Sequence, residues 1–180
     1  MYRRKPTVHG AGQPPPDVSP QAVYVAALVM LGRRELSESQ VRQRLARKGY
    51  GEDDIEAAIT RLKAERALDD VRVAEAIART ETGLKKRGKL RVRRQIEAAG
   101  ISPALTRQTV EAHFDEVDAD GLLLAALGRR LRDGRHIADD REFQRLYRHL
   151  TAQGFESDQV LRLLRSRRAS GTASGRDEDE

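Results

Sequence analysis

The stretch GLKKRGKL, Gly83–Leu90, has the glycine, four residues, glycine, lysine skeleton of a phosphate-binding loop. A working loop follows that lysine with Ser or Thr to hold magnesium, and a strand ahead of it aims the backbone N–H groups. Here Leu90 takes the place of the hydroxyl and the residues ahead read as helix, so no nucleotide site is expected. Asp69 and Asp70, in ALDDVRVAEA, are the most conspicuous carboxylate pair. General acid and base work would need a pocket and a shifted pKa. Nothing in the sequence supplies either, and the preferred reading is a cap on the fourth helix with acids near its positive end. His9, His113, His136 and His149 lack paired spacing, and there is no cysteine. Disulfides, thiolate metal sites and a cysteine nucleophile are thereby excluded. The expectation is a non-enzyme with no catalytic residue, metal or cofactor.

Binding chemistry is better represented. KKRGKLRVRR carries seven cations in ten residues: Lys85, Lys86, Arg87, Lys89, Arg91, Arg93 and Arg94. If Val92 faces inward with Ile96, Arg91, Arg93 and Arg94 fan outward, and the group could neutralise several phosphates or meet an acidic groove. The whole chain has a formal charge of +6, and setting aside the four acids Asp177–Glu180 leaves +10 on residues 1–176. A polyanion, or a protein surface coated with one, is the expected partner, and a merely solvated basic face is the alternative. The longest apolar run, Ala22–Leu31, has ten residues, about half the roughly 20 that span a bilayer. A basic start precedes it, but prolines intervene and GRRE follows where a cleavage site would stand, so neither membrane insertion nor export is expected.

The elements that must position these groups are helices. Only 4% of the 180 residues are aromatic and 34% are charged, so the core must come from Leu, Ile, Val and Ala. One pattern occurs three times: Val41, Leu45, Gly49, Tyr50; Val92, Ile96, Gly100, Ile101; and Leu146, Leu150, Gly154, Phe155. The i, i+4 pairs share a helix face, and the glycine is the left-handed residue that ends the helix. The next apolar residue should latch Tyr50 to Leu45, Ile101 to Ile96 and Phe155 to Leu150. Ala27, Ala76 and Ala125, at intervals of 49, mark an apolar helix ahead of each pattern. A further helix follows each glycine, carrying Ile55, Ile59 and Leu62, then Leu105 and Val110, then Val160 and Leu164.

Each unit is therefore three helices. Ser19-Pro20 and Ser102-Pro103 are cap and first-turn proline, while Ser37 with Gln40 and Asp139 with Glu142 are spaced as capping boxes. Nine helices are predicted near 20–33, 37–48, 52–66, 70–86, 89–99, 103–115, 118–133, 140–153 and 157–167. The fold class is all-α, an elongated, curved array of three tandem repeats over 19–68, 69–116 and 117–168. Residues 1–18 and the acidic 169–180 lack apolar periodicity and are expected to be disordered tails.

A helix-turn-helix reader of duplex DNA is disfavoured, because the would-be recognition helix begins with Glu52, Asp53, Asp54 and Glu56. An aromatic stacking platform is missing too, with 4 Tyr, 3 Phe and no Trp. A general nucleic-acid-binding helical protein and a helical adaptor for another protein remain as classes.

Ser37–Tyr50, SESQVRQRLARKGY, followed by a helix and then ALDDVRVAEA, resembles the RecX family of RecA modulators. Leu68, Asp69, Asp70, Arg72 and Ala74 match its Leu-Asp-Asp-x-Arg-x-Ala segment, and GKLRVRRQIEAAGI is similar to its glycine, basic turn and Gly-Ile ending. Val73 stands where the family usually has an aromatic residue, and Lys89-Leu90 replaces a turn richer in proline or basic residues. The resemblance covers about residues 20–168. It implies tandem three-helix repeats in a cytoplasmic, non-enzymatic protein that binds RecA and its single-stranded-DNA filaments. Such proteins usually inhibit filament growth, ATP hydrolysis, strand exchange and coprotease activity. A monomer is expected, with Lys85–Arg94 as one contact surface and direct DNA binding a further possibility. Leu68, Asp69, Asp70 and Arg72, with Gly49, Gly100 and Gly154, are read as structural.

Overall fold

The computed structural model describes residues 19–131 and 136–173, with side chains through Arg168. All regular structure among them is helical: α1 Pro20–Leu31, α2 Glu38–Arg47, α3 Glu52–Ala64, α4 Asp70–Arg79, a π turn Thr80–Leu84, α5 Lys89–Ala98, α6 Pro103–Glu116, α7 Ala119–Gly128, α8 Asp140–Ala152 and α9 Ser157–Ala173. The start signals act as their chemistry dictates. Ser19 Oγ accepts from Ala22 N, Ser37 Oγ from Gln40 N, Ser102 Oγ from Leu105 N and Asp139 Oδ1 from Glu142 N.

Buried side chains form three cores in chain order. Val23, Ala27, Val41, Leu45, Ile59 and Leu62 centre the first. The second contains Val73, Ala74, Val92, Ile96 and Val110, and the third Leu123, Leu127, Leu146, Leu150, Val160 and Leu164. Partly buried Phe114 packs against both the second and the third. The architecture is the all-α array of three-helix repeats that the spacing predicts.

Gly49, Gly100 and Gly154 have φ of +87°, +78° and +91°. Gly49 N donates to Ala46 O at 2.9 Å and Tyr50 N to Leu45 O at 3.4 Å, the paired bonds of a Schellman stop. Gly154 and Phe155 repeat this on Thr151 and Leu150 at 3.0 and 3.3 Å. Each latch residue shares a core with its predicted partner.

Some boundaries and registers differ from expectation. The predicted fourth helix changes at Thr80 into the π turn and stops at Leu84, while α7 stops at Gly128, five residues early. α9 continues to Ala173, six residues past its predicted end and into the expected tail; residues 1–18 and 174–180 lie outside the described residues. Ala27 is buried, Ala76 half-buried and Ala125 exposed, and it is Ala126 that enters the third core. In LLLAALG the apolar residues run nearly all round the helix, so spacing alone does not set its phase.

α3 ends in the same kind of stop without a glycine. Arg66 has φ +56°, its N–H donates to Lys63 O at 3.0 Å, and Ala67 N donates to Leu62 O at 2.9 Å. A side chain in this region is strained. Arg66→Gly therefore raises stability by about 0.5–1 kcal/mol, net of the extra freedom glycine gives the unfolded chain. Equilibrium urea unfolding tests this, and a loss of stability would show that the arginine side chain itself holds the turn.

Candidate partner-binding surface

The basic stretch begins at Lys85, the residue that caps the end of the π turn. There Lys85 N donates to Thr80 O at 3.3 Å and Arg87 N to Glu81 O at 3.0 Å, bonds wider than the α ladder, and Lys86 takes φ +53°. Thr82 promotes the departure by donating its hydroxyl to Ala78 O at 2.9 Å, which competes with the backbone. The same oxygen lies 3.0 Å from His113 Nε2. With the hydroxyl proton committed to Ala78, Nε2 must carry the donor hydrogen. Burial, then the nearby Arg79 charge, hold the His113 pKa below its ordinary value.

Glu81 organises the turn. Its carboxylate is only 4% exposed and receives Lys85 Nζ at 2.6 Å and Arg87 Nη1 at 2.5 Å. From the third repeat, Arg129 donates Nη2 to Leu84 O at 2.8 Å and Nη1 to Lys85 O at 3.2 Å. Glu81 and Lys85 also line an open cleft of about 410 Å³, shared with Arg34, Glu35 and Gln40 of the first repeat.

The seven cations therefore do not form one uniform fan. Lys85 and Arg87 clasp Glu81, Lys89 reaches Glu111 at 2.6 Å, and Arg93 lies 3.7 Å from Glu97. Arg93 and Arg94 are exposed as expected, but Arg91 is half-buried. Lys86, Arg91 and Arg94 enter no ion pair among the described residues. Glu81 went unnoticed in the sequence, although its i, i+4 spacing to Lys85 is a legible signal.

Arg91 is drawn inward because the repeats join through helix ends. Gly88 N donates to Gln153 O at 3.0 Å and Leu90 N to Gly154 O at 3.1 Å, so the carbonyl end of α8 caps the N–H end of α5. At the next joint the buried Ser37 hydroxyl donates to Ala99 O, seating the end of α5 on the start of α2. Gly100 packs there against Ser39. α8, α5 and α2 thus follow one another head to tail.

Asp69, Asp70 and Arg72 belong to the joint between the first two repeats. Asp69 Oδ1 caps α4 through Val71 N and Arg72 N at 2.9 and 3.2 Å, and Asp70 Oδ1 accepts from Glu38 N at 2.8 Å. Arg72 pairs with Glu35 at 2.7 Å and donates to the Arg66 and Ala67 carbonyls, while Leu68 is buried in the first core. Nearby, hydrogen bonds from Lys63, opposed by burial and then helped by Arg42, hold the Glu38 carboxyl below its ordinary pKa. Asp69→Ala with Asp70→Ala should cost about 2 kcal/mol, one cap bond and one joint bond. Normal urea unfolding combined with lost partner binding would instead make these aspartates contact residues.

Among the described residues no group of three or more His, Asp or Glu could hold a metal, and no helix is long and apolar enough to cross a membrane. The phosphate-loop skeleton lies across the π turn and the start of α5, with no strand ahead of it.

Comparison with known proteins locates this architecture. Residues 24–62 match the family model described as RecX, first three-helix domain. Two crystal structures are similar in fold: a regulatory protein RecX, with TM-score 0.66 and 23% identity over 82% of this chain and 71% of that one, and RecX from Lactobacillus salivarius, with TM-score 0.68 and 19% identity over 82% and 95%. The regulatory protein RecX of Halorhodospira halophila is 29% identical over 88% of this chain and 92% of its own length. That of Chromohalobacter salexigens is 31% identical over 74% of this chain and 85% of its own. With a relative 31% identical over 85% of its length, and a fold shared with two RecX crystal structures, the chain belongs to the RecX family.

Proposed function

We propose that this protein binds RecA and RecA–single-stranded-DNA filaments in the cytoplasm as a monomer and inhibits filament growth, ATP hydrolysis, strand exchange and coprotease activity, with no reaction of its own. The observation that carries the reading is the family membership over an array of three repeats. Its physical support is the chain of helix ends, which lets one molecule bridge successive protomers along a filament, and the positive charge that draws it toward a DNA-bearing surface. Bridging would occlude the growing end or compete for contacts among protomers, with Lys86, Arg93 and Arg94 as exposed or half-buried cations of the basic stretch and Arg91 set deeper in the joint.

The test is RecA ATP hydrolysis on preformed filaments, titrated with this protein from far below to equal stoichiometry. Inhibition well below one molecule per RecA is the expected result. Inhibition only at concentrations that coat free DNA would identify a general nucleic-acid binder, whose affinity falls steeply with salt. The absence of any effect would favour an adaptor for another protein. Lys86→Gln, Arg93→Gln and Arg94→Gln together should leave helix content intact and raise the half-inhibitory concentration about tenfold, as three lost charge contacts imply. An unchanged titration would remove the basic stretch from the mechanism.

A further inference from the structure

The helix-end joint that links the repeats occurs twice, and a third copy of its receiving half is left open. The ends of α8 and α5 each present a glycine turn whose carbonyls take donors from the start of the next helix in the spine. α2 ends in the same turn, yet a Cβ built on Gly49 meets nothing within 4 Å, whereas at Gly154 and Gly100 it collides with Arg91 and Ser39. The Lys48 and Gly49 carbonyls, equivalent to those of Gln153 and Gly154, have no protein partner among the described residues.

The surroundings of this open end state what would fit it. Arg33, Arg34, Arg44, Arg47 and Lys48 line a cleft of about 760 Å³ between the ends of α1 and α2, and no acid lines it. None of the five enters an ion pair among the described residues. The floor is apolar: Ala26, Met30 and Val29 line the cleft, and Val29 is 54% exposed. A phosphate backbone would use the cations and leave that floor unsatisfied, and the cleft holds no aromatic on which a base could stack. A helix N-terminus bearing acids supplies N–H donors for the open carbonyls, charge for the arginines and, one turn on, apolar side chains for the floor.

We propose that the cleft between the C-terminal ends of α1 and α2 docks the acidic first turn of an amphipathic helix from a partner protein, repeating between molecules the joint that stacks the repeats. The inference does not depend on that partner being RecA.

The probe is a fluorescein-labelled helical peptide of about 18 residues, with an N-cap Ser, Glu through its first turn and Leu at i, i+3, i+4 and i+7. A control peptide of equal composition carries its glutamates in the last turn. Anisotropy is measured with the full chain and without RecA, so the result is separate from the ATP hydrolysis test. Saturable binding of the first peptide is expected, with the control at least about fivefold weaker. Arg44→Ala, Arg47→Ala and Lys48→Ala together should weaken it about tenfold, Val29→Ser about threefold, and the Lys86, Arg93, Arg94 variant not at all. Equal affinity for both peptides, indifference to the triple change, or no binding would overturn the proposal. So would a single-stranded oligonucleotide that binds more tightly than the peptide through the same three residues, or sedimentation showing that the cleft is occupied by a second copy of this chain.

Discussion

Gly154→Ala lowers the unfolding free energy by about 4 kcal/mol, whereas Gly49→Ala costs about 1 kcal/mol, although both occupy the same turn. The backbone conformations are nearly equal, with φ of +91° and +87°, so the intrinsic strain of a side chain is common to both. What differs is the space around them. The new Cβ at Gly154 would lie 2.2 Å from Arg91 N, 2.5 Å from its Cβ and 2.8 Å from its Cα. Two of those atoms belong to backbone that cannot swing aside. Relief requires parting α8 from α5, which forfeits the bonds from Gly88 N to Gln153 O and from Leu90 N to Gly154 O, each worth about 1 kcal/mol net. At Gly49 the Cβ points into open space. Urea unfolding of the two variants gives the comparison. Equal losses would mean that the helix-end joint contributes nothing and that the glycines act through turn strain alone. Gly88→Ala is expected to resemble Gly154→Ala, because its Cβ would meet Gly154 O and C at 2.5 and 2.6 Å from the other side of the same joint.

Glu81→Ala costs about 2–3 kcal/mol and loosens the π turn. Removing one member of a fully buried ion pair typically costs 3–5 kcal/mol because the orphaned charge stays buried. Here the orphans are less confined: the Lys85 and Arg87 side chains are 46% and 23% exposed and can turn toward water, which lowers the expected cost. The variant also separates two roles of the basic stretch. It weakens the fold while freeing two cations, so filament binding per folded molecule should rise if Lys85 and Arg87 act by charge. It should fall if their value lies in the shape that Glu81, Lys86 at φ +53° and the Arg129 clamp together impose. Amide exchange at Lys85 and Arg87, whose N–H groups close the turn, reads out the loosening directly; unchanged protection would show that the turn stands without the carboxylate.

The contrast between these two sites shows why some of the candidate surface was legible in the sequence and some was not. Val41 with Leu45, Val92 with Ile96 and Leu146 with Leu150 announce helix faces, and the glycine after each announces a stop, because both signals act within one or two turns of chain. Ser19, Ser37, Ser102 and Asp139 cap where they stand for the same reason. The seven cations of Lys85–Arg94 are equally visible, but their partners are not. Lys89 finds Glu111 across 22 positions, and Arg129 reaches the π turn across 45.

Helix, stop, cap, repeat number and net charge follow from the chain alone, since each depends on neighbours three to five residues away or on composition. Only the packed fold settles that Ala126 and not Ala125 is buried, that Arg91 turns into a joint while Arg94 stays exposed, and that of three equivalent glycine turns two are filled and one is open among the described residues. Those outcomes depend on which helix end meets which. That meeting is fixed by the packing of whole repeats against each other, a property no window of local sequence contains.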